Sequence, residues 1–286
     1  MNSKKKIYLT CKDYTVSNEK FELIYNSKFE MLETYPQPKL DKLASYYESS
    51  TYISHTDSKK TFIDKIYQLV KKYTLKNKLK LVNSFKSPEK KILDVGCGTG
   101  DFLFTCKNNG WSVVGVEPNI NAKSLAEIKL ASSNSNPIFS KLEELEDIKL
   151  DVITLWHVLE HVPNLEKYIS HLKSLLKPNG ILVVAVPNYK SFDAKYYKNY
   201  WAAYDVPRHL WHFSKKSIQL LFERKKMKVD QILPMKFDSF YVALLSEKYK
   251  HQKSNFLRAF WIGLLSNIKA SKSKEYSSLI YIIKNS

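Results

Sequence analysis

The period of the hydrophobic pattern changes near residue 90 and divides the chain into two regions. Residues 1–40 alternate weakly between apolar and polar positions, which predicts a small two-stranded element ending at the Pro36–Pro38 break. A tyrosine-rich connector follows, to residue 55. A helix is then predicted from Asp57 to Val82, because five apolar residues recur on one helical stripe: Phe62, Ile66, Leu69, Val70 and Tyr73.

After residue 90, short apolar runs alternate with helical patterns, which indicates a parallel sheet covered by helices on both faces. Strands are predicted at Ile92–Val95, Ser112–Val116, Ile138–Phe139, Val152–Trp156, Ile181–Val186, Lys228–Leu233 and Ser278–Lys284. Helices are predicted at Asp101–Asn108, Asn121–Leu130, Leu165–Leu176, and from the cap Ser214 to Glu223. An aromatic loop spans residues 188–213, and two further apolar pieces precede the last strand, Phe240–Leu245 and Phe256–Leu265.

Composition narrows the class of protein. The 286 residues are 44% hydrophobic, which is enough to bury a core and excludes a disordered chain. No run approaches 18 apolar residues, and the apolar segment after Lys4–Lys6 is too short for a secretory signal. Three scattered cysteines, Cys11, Cys97 and Cys106, predict neither a disulfide framework nor a cysteine-rich zinc site. We therefore expect a cytoplasmic protein.

The net charge of +18 is unevenly distributed. Residues 1–90 and 191–286 carry +8 and +11, whereas residues 91–190 carry −1. Basic flanks suit an anionic partner such as nucleic acid, lipid headgroups or a phosphorylated substrate, and they are also typical of solvated lysine surfaces. Only three of the 46 basic residues are arginine, the residue that suits bidentate recognition of phosphates and base edges. The charge therefore predicts attraction to anionic partners without recognition of a nucleic-acid sequence.

A buried strand runs into three glycines and then into a helix at residues 92–103, ILDVGCGTGDFL. Glycines permit a tight turn and a close approach of a ligand, and the helix N-terminus offers unpaired N–H groups to a carboxylate or phosphate. The spacing G-x-G-x-G differs from the dinucleotide pattern G-x-G-x-x-G, which disfavours an NAD-dependent oxidoreductase. Glu117 closes the second strand, 21 residues after Gly96, where a carboxylate can accept hydrogen bonds from both hydroxyls of a ribose. S-adenosylmethionine (SAM), which has a ribose but no pyrophosphate, fits this pattern.

These motifs resemble those of class I SAM-dependent methyltransferases, with LDVGCGTGDFL as the first motif and VVGVEP as the second. The segments DVITLWHVLEHV, LKPNGILVVAVPN and VPRHLWHFS resemble the branch containing ubiquinone-pathway O-methyltransferases and many uncharacterised bacterial enzymes. The resemblance covers roughly residues 90–235 and implies an α/β, Rossmann-like, doubly wound sheet of seven strands, mostly parallel with the last strand antiparallel. Ser278–Lys284 would then lie beside Ile181–Val186, after a helical insert at residues 238–270.

The same resemblance implies two domains and a set of cofactor residues. Residues 1–55 form an N-terminal extension similar to a cysteine-rich ribbon, of which only Cys11 remains, and residues 56–286 form the methyltransferase domain. The glycines line the methionine moiety, Asp94 supports its ammonium group, Glu117 holds the ribose, Leu142 in Ser140–Glu143 borders the adenine, and Trp156 with His157 lies beneath the sulfonium. The complete cofactor set is Asp94, Gly96, Cys97, Gly98, Gly100, Glu117, Pro118, Leu142, Trp156 and His157. Core packing is the alternative role for Trp156.

Histidines provide the candidate bases. His157, Glu160 and His161 are spaced so that a helix would place them on one side, where they either hold a divalent ion or orient the loop before Pro163. Some relatives bind metal here through Glu-x-x-Glu-His, but His157 replaces the first Glu, and we predict no metal. His209 follows the fifth strand, where this fold places acceptor residues, and is the first candidate for a general base. His157 is the second candidate, and a structural hydrogen bond is the alternative role for His209.

We therefore predict a SAM-dependent methyltransferase acting on a small-molecule or lipid-like acceptor, with oxygen as the accepting atom. Aromatic and basic residues are expected to wall the acceptor pocket: Tyr46, Tyr47, Tyr52, Trp201, Tyr204, Arg208 and Trp211. A nucleic-acid methyltransferase is the alternative that the charge suggests, but no Asn-Pro-Pro-Tyr motif is present, and residues 155–158 read LWHV. A non-catalytic SAM-binding protein is a second alternative.

The insert at residues 238–270 combines two apolar clusters with lysines around them. This pattern suits a lid over the acceptor or a weak contact with an anionic membrane. A packed helical hairpin or a dimer contact is the alternative, because core-facing helices share the pattern. The oligomeric state stays open.

Overall fold

A computed structural model describes residues 6–47, 62–131, 137–146, 148–253 and 255–286. Within these ranges the strands are β1 (Ile7–Lys12), β2 (Lys20–Asn26), β3 (Met31–Tyr35), β4 (Lys91–Val95), β5 (Ser112–Val116), β6 (Ile138–Phe139), β7 (Leu150–Trp156), β8 (Leu176–Pro187), β9 (Trp211–His212), β10 (Met227–Pro234) and β11 (Ser278–Asn285). The α-helices are α1 (Leu40–Leu43), α2 (Phe62–Asn83), α3 (Asp101–Lys107), α4 (Ile120–Leu130), α5 (Leu165–Leu175), α6 (Phe192–Tyr197), α7 (Lys215–Glu223), α8 (Asp238–His251) and α9 (Phe256–Ser273).

The main sheet has seven strands in the order β10-β11-β8-β7-β4-β5-β6. Parallel pairing joins β4 to β5 and β7, β5 to β6, and β7 to β8. Strand β11 is antiparallel to both of its neighbours, β8 and β10, and Tyr281 pairs with Val184 in the register. The predicted Rossmann-like architecture is confirmed, including the position of the last strand. The apolar run from Leu182 to Val186 is buried because helices cover both faces of the sheet.

The N-terminal region corrects the two-stranded expectation. Strands β1, β2 and β3 form an antiparallel sheet, and β9 from the aromatic loop adds a fourth strand beside β3. Leu32 pairs with His212 and Glu33 with Trp211. A two-residue strand has no periodicity of its own, so the sequence pattern could not reveal this pairing. The predicted domain boundary at residue 55 lies outside the described residues and stays a prediction.

Helix α2 ends at Asn83, one residue from its predicted end, but its apolar stripe differs from the prediction. Leu69 and Tyr73 are exposed, whereas Val82 is buried and packs with Leu75 and Leu79 against the sheet. Leu69 and Tyr73 therefore face solvent or other surface elements, while the side chains of Phe62 and Ile66 lie outside the described part of the chain. The Tyr73 ring makes an edge-on contact with Phe237, with ring centroids 5.4 Å apart, which places α2 beside the start of α8.

The insert is a helical hairpin of α8 and α9. The two helices approach closely at Gly263, where a Cβ atom would lie 2.8 Å from Cδ1 of Phe240. The inner side of the hairpin packs on the aromatic loop. Four of its residues are buried in the same apolar cluster as Trp201 and Tyr204, namely Val242, Ala243, Ala259 and Ile262. None of the helices in the described ranges is both long and apolar enough to cross a bilayer.

Candidate active site

The glycine loop joins the end of β4 to the start of α3. Gly96, Gly98 and Gly100 have φ angles of 70°, 55° and 77°, a left-handed region that side-chain-bearing residues adopt only at a cost. The N–H groups of Gly96 and Cys97 both donate to the carbonyl of Val116, at 2.7 and 3.1 Å. The loop is therefore fastened across the carboxyl end of β5.

The three glycines have different surroundings. A Cβ atom at Gly96 would lie 2.6 Å from Cγ2 of Val158, and one at Gly100 would lie 3.0 Å from Cβ of Ala126. A Cβ atom at Gly98 would meet no atom within 4 Å. Packing of the chain itself therefore requires glycine at residues 96 and 100, whereas Gly98 borders open space that a ligand can fill.

Glu117 lies at the end of β5 and is fixed by the glycine loop. Its Oε2 accepts the N–H of Gly98 at 2.9 Å, and its Oε1 accepts the N–H of Asn119 at 2.9 Å. Burial raises the pKa of Glu117, and these two hydrogen bonds oppose the rise. Each carboxylate oxygen has two lone pairs, so both oxygens retain capacity for a further donor such as a ribose hydroxyl.

Asp94 lies in β4 just before the loop and is buried. Burial raises the pKa of Asp94 to about 7, although Thr154 Oγ1 donates to its Oδ1 at 2.6 Å and the positive charge of Lys78 favours the ionised form. Burial lowers the pKa of Lys78 in turn, against the attraction of Asp94 and Asp238. The carboxyl group therefore changes its charge near neutral pH.

Trp156 ends β7 and His157 follows it, on the same edge of the sheet. The indole of Trp156 packs edge-on against Phe102 with centroids 5.8 Å apart, and the ammonium of Lys78 lies 4.2 Å from an indole ring centroid. The Nε1 atom of Trp156 is buried and has no hydrogen-bond partner among the described residues. Core packing and a contact beneath a ligand are both compatible with this position.

His157 is held between two carboxylates. Its Nδ1 lies 3.2 Å from Oε1 of Glu160, and its Nε2 lies 2.9 Å from Oδ2 of Asp238 at the start of α8. Burial alone would lower the pKa of His157, but the two hydrogen-bonded carboxylates raise it to about 10. His157 is therefore an imidazolium at neutral pH, and it ties the helical insert to the sheet.

This edge of the sheet is rich in carboxylates, although the chain as a whole is basic. The carboxylates of Asp94, Glu117, Glu160 and Asp238 gather here with the cations Lys78 and His157, in a protein of net charge +18. An excess of carboxylates favours a cationic ligand. SAM carries a sulfonium and an ammonium group, so the residues present fit it.

Three further predicted cofactor residues lie in the loop or in segments that follow it along the chain. The Cys97 thiol is buried, and burial raises its pKa. Leu142 begins a short 3-10 helix and is buried in the largest apolar cluster, while Pro118 is exposed at the rim of β5. Their contacts with a cofactor stay predictions.

The predicted acceptor residues fall into two groups. Trp201, Tyr204 and Arg208 line a small cavity together with Tyr14 and Tyr249, and its volume of about 10 Å³ has room for about one water molecule. The lining of this cavity comes from the N-terminal sheet, the loop at residues 199–208 and α8, and includes none of the predicted cofactor residues. Trp211 lies elsewhere and donates its indole N–H to the carbonyl of Val162 at 2.6 Å.

Arg208 is buried and fully engaged by the protein. Its guanidinium donates to both carboxylate oxygens of Asp205, to Oδ1 of Asp13 at 2.9 Å and to the carbonyl of Tyr46 at 3.0 Å. Trp201 donates its indole N–H to the buried Asp193 at 2.7 Å. In this conformation both groups connect segments of the chain, and their contact with an acceptor stays a prediction.

The tyrosines of the connector also lie near this region. Tyr46 donates its hydroxyl to Glu19, and the Tyr47 hydroxyl lies 2.9 Å from Nδ1 of His161. Tyr52 lies outside the described residues.

His209 belongs to a histidine cluster centred on Glu160. Its Nδ1 lies 2.9 Å from the carbonyl of Ala203, and its ring is 4.6 Å from that of His161. Ligating atoms of Glu160, His161 and His209 lie within 4.8 Å of one another, so the group differs from the predicted set of His157, Glu160 and His161. Burial lowers the pKa of His161 to about 4, and the neighbouring His209 ring acts in the same direction. The structure thus brings both candidate bases close to one buried carboxylate, that of Glu160.

Sequence reasoning missed Lys78 and Asp238. Lys78 shares one face of α2 with Leu75, Leu79 and Val82, and a lysine within that apolar stripe was a usable signal. Asp238 follows β10 with no local pattern around it. Its pairing with His157 joins positions 81 residues apart, which only the packing of the insert reveals.

The sequence profile of the methyltransferase-domain family matches residues 70–231, more than half of the chain. The chain belongs to this family. The ubiquinone biosynthesis O-methyltransferase of Rhodopseudomonas palustris (strain HaA2) is 33% identical over 109 residues, which are 36% of this chain and 42% of that protein. The ubiquinone biosynthesis O-methyltransferase of Rickettsia prowazekii (strain Madrid E) is 36% identical over 101 residues, which are 34% of this chain and 40% of that protein. The match thus spans less than half the length of these curated relatives.

Solved structures agree with the family. Magnesium protoporphyrin IX methyltransferase from Synechocystis PCC 6803 with bound SAH superposes with a TM-score of 0.57 at 18% identity, covering 86% of this chain and 100% of that chain. A SAM-dependent methyltransferase from Archaeoglobus fulgidus has a TM-score of 0.50 at 19% identity, covering 74% of this chain and 94% of that chain. At these identities the likeness shows the fold. Family and fold together confirm the resemblance to class I SAM-dependent methyltransferases, an enzyme class whose cofactor is SAM.

Proposed function

We propose that this chain transfers a methyl group from SAM to a small-molecule or lipid-like acceptor, with oxygen as the accepting atom. The proposal rests on one observation: Glu117 is fixed by the N–H of Gly98 at 2.9 Å, and Gly98 itself faces open space. A ribose-binding carboxylate beside an unfilled glycine surface is the arrangement that a nucleoside-bearing methyl donor needs.

The chain supplies binding and alignment. SAM provides a methyl group on a sulfonium, and its transfer is an in-line displacement that depends mainly on the alignment of donor and acceptor. We assign the ribose to Glu117, the ammonium group to Asp94 and the sulfonium region to Trp156 with His157. The excess of carboxylates at this edge stabilises the positive charge of the donor before transfer.

His209 is the better candidate for the general base. A base must be neutral to accept a proton, and His157 is an imidazolium at neutral pH because its pKa is raised to about 10. The carbonyl of Ala203 can only accept a hydrogen bond, so Nδ1 of His209 carries the proton and Nε2 is left as the proton acceptor. His157 instead orients Glu160 and Asp238.

The proposed class of acceptor is supported by the names of the relatives and not by the cavity. The cavity beside Trp201 and Tyr204 has aromatic residues in its lining, but its volume of about 10 Å³ has room for only about one water molecule. The names of the relatives refer to ubiquinone biosynthesis and to magnesium protoporphyrin IX. We propose that the insert, which Asp238 ties to His157 at 2.9 Å, closes the site over the acceptor.

The first experiment is calorimetry of SAM binding to the wild-type protein and to Gly98→Arg. We expect binding to the wild type and none to the variant, with both proteins folded by circular dichroism. Equal affinity for both proteins would remove the glycine loop from the donor site.

The second experiment incubates the protein with methyl-labelled SAM and with extracts of metabolites, lipids, RNA or DNA, read by mass spectrometry. Label in a metabolite or lipid that disappears with Gly98→Arg supports the proposal. Label in nucleic acid alone would overturn the acceptor class, and SAM binding without any label would favour a non-catalytic role. His209→Ala should lower turnover on the order of 100-fold or more with unchanged SAM affinity, whereas His171→Ala, on α5, should match the wild type.

A further inference from the structure

Helix α9 places its small residues inward and its large apolar residues outward. The buried face consists of Ala259, Ile262, Gly263, Ser266 and Ala270, and only one of these is a large apolar residue. On a helix that packs on a core the reverse distribution is expected, since the large apolar side chains contribute most to burial. The outward face of α9 is therefore suited to bind an apolar partner surface.

The outward residues form one continuous stripe. Leu257, Trp261 and Ile268 are 77%, 59% and 55% exposed, and their spacing of four and seven residues places them on the same side of the helix. Phe260 and Leu265 border the stripe and are also exposed. A contiguous apolar patch of this kind on a folded protein marks an interaction site.

The charges around this stripe have one sign. Residues 235–274 contain eight lysines and arginines and only two acids, Asp238 and Glu247. Asp238 is paired with His157, and Glu247 is buried with Arg258 beside it. The solvent-facing surface of the hairpin is therefore strongly basic wherever it is not apolar.

Part of this basic surface is fixed in position along one edge. The ammonium of Lys269 lies 3.8 Å from the ring centroid of Phe192, and that of Lys250 lies 5.4 Å from the ring of Tyr196. Arg258 donates to the Tyr196 hydroxyl at 2.9 Å. Three cations thus line the side of the hairpin that packs on α6, next to the outward stripe of α9.

We propose that the outward stripe of α9 docks on an anionic lipid bilayer, with the helix lying in the plane of the interface. Leu257, Trp261 and Ile268 would insert to the level of the acyl chains, and the basic edge would contact the headgroups. Amphipathic helices with an apolar face, a basic border and an interfacial tryptophan bind membranes in this way. Docking is a property of the surface and does not depend on the proposed methyl transfer.

Charge complementarity favours lipid over the other occupants of such a surface. A second copy of the chain in a two-fold dimer would bring this basic border against itself, because a two-fold interface uses the same patch twice. Nucleic acid would satisfy the charges but has no apolar surface to cover Leu257 and Ile268. An anionic bilayer satisfies both the charge and the apolar stripe.

Co-sedimentation with vesicles tests the proposal on the full chain. Vesicles of phosphatidylcholine alone are compared with vesicles containing about one third phosphatidylglycerol, at low and high salt. We expect binding to the acidic vesicles at low salt, with a marked loss at high salt. Trp261 is the most exposed of the five tryptophans, all of which are described, so its fluorescence should shift to the blue and resist acrylamide quenching when the vesicles bind.

Matched variants distinguish vesicle binding through the stripe from nonspecific hydrophobic binding. Leu257→Ser/Trp261→Ser should weaken binding to acidic vesicles at least tenfold, whereas Ile120→Ser/Ile128→Ser, at two positions on α4 that are each 75% exposed, should bind as the wild type does. Lys269→Gln/Lys272→Gln, at two basic positions in the second half of α9, should weaken binding roughly 25-fold, since each lysine contributes about fivefold at an anionic surface. Lys39→Gln/Lys86→Gln removes two positive charges outside the insert and is the control for net charge, so it should bind the vesicles as the wild type does.

Three outcomes would overturn the proposal. The first is no binding to acidic vesicles at low salt by the folded wild-type protein. The second is equal binding by the wild type and Leu257→Ser/Trp261→Ser. The third is a dimer in analytical ultracentrifugation without lipid that dissociates in that variant, which would assign the stripe to a second copy of the chain.

Discussion

Gly98 and Gly96 share a strained backbone conformation, but their substitution by alanine should have different consequences. Both have a φ in the left-handed region, where a Cβ atom costs about 1–2 kcal/mol. At Gly98 that strain is the whole cost to the fold, because the new Cβ would meet nothing within 4 Å. At Gly96 the Cβ would lie 2.6 Å from Cγ2 of Val158, and overpacking adds about 1–3 kcal/mol.

The expected order of stability follows directly. Gly98→Ala should lose about 1–2 kcal/mol of unfolding free energy, and Gly96→Ala about 2–5 kcal/mol. Gly110→Ala is the control for strain alone, since Gly110 has a φ of 82° and its nearest neighbour would be the flexible Lys90 Nζ at 3.9 Å. Adding Val158→Ala to Gly96→Ala should restore part of the loss, because it removes the clashing methyl group.

SAM affinity should follow a different order from stability. Gly98→Ala should weaken binding on the order of tenfold or more, because the new methyl group occupies the space assigned to the donor. Gly110→Ala should bind SAM as the wild type does. The measurements are urea unfolding for stability and calorimetry for SAM. The reasoning fails if Gly98→Ala binds SAM with wild-type affinity, or if Gly96→Ala is as stable as Gly98→Ala.

Three further predictions concern single groups. Glu117→Gln keeps the shape of the side chain but removes its charge, and should weaken SAM binding by about 1–3 kcal/mol in calorimetry; an affinity within twofold of the wild type would exclude Glu117 from the site. Burial raises the pKa of Asp94 to about 7, and the ionised carboxylate attracts an ammonium group. SAM affinity should therefore rise as the pH increases through 7 and fall at lower pH. The same pH dependence of SAM affinity in Asp94→Asn would assign the effect to another group. Arg208→Met leaves the buried Asp13 and the partly buried Asp205 without their cation and should cost about 3–5 kcal/mol of unfolding free energy, whereas Arg224→Met, at an exposed position, should cost less than about 1 kcal/mol.

The histidine pair is a case in which the sequence named the right neighbourhood but not the arrangement. The spacing of His157, Glu160 and His161 predicted one helical face, yet His157 has a φ of 59° and only residues 159–161 form a short 3-10 helix. His157 therefore turns towards Asp238, while His161 joins His209. Spacing rules hold only inside regular helices, and the end of a buried strand does not provide one.

The main sheet and the glycine loop were determined by the sequence alone. Continuous apolar runs bounded by glycines and prolines determine where strands begin and end, and Gly98 and Glu117 lie where two such strands stop. These features depend on residues that are neighbours in the chain or on adjacent parallel strands, so local patterns and the right-handed βαβ connection decide them.

Only the tertiary structure decided which distant residues meet and which side of a helix is covered. Asp13 and Arg208 pair across 195 residues, and Trp211–His212 completes a sheet begun by Ile7–Lys12. The periodicity of α9 shows an apolar stripe but cannot show that this stripe faces outward, since the pattern is the same for a buried and an exposed face. The outward orientation follows from Gly263 and Ala259, whose small size lets α9 lie closely on α8 and the aromatic loop while Trp261 and Leu257 stay on the surface.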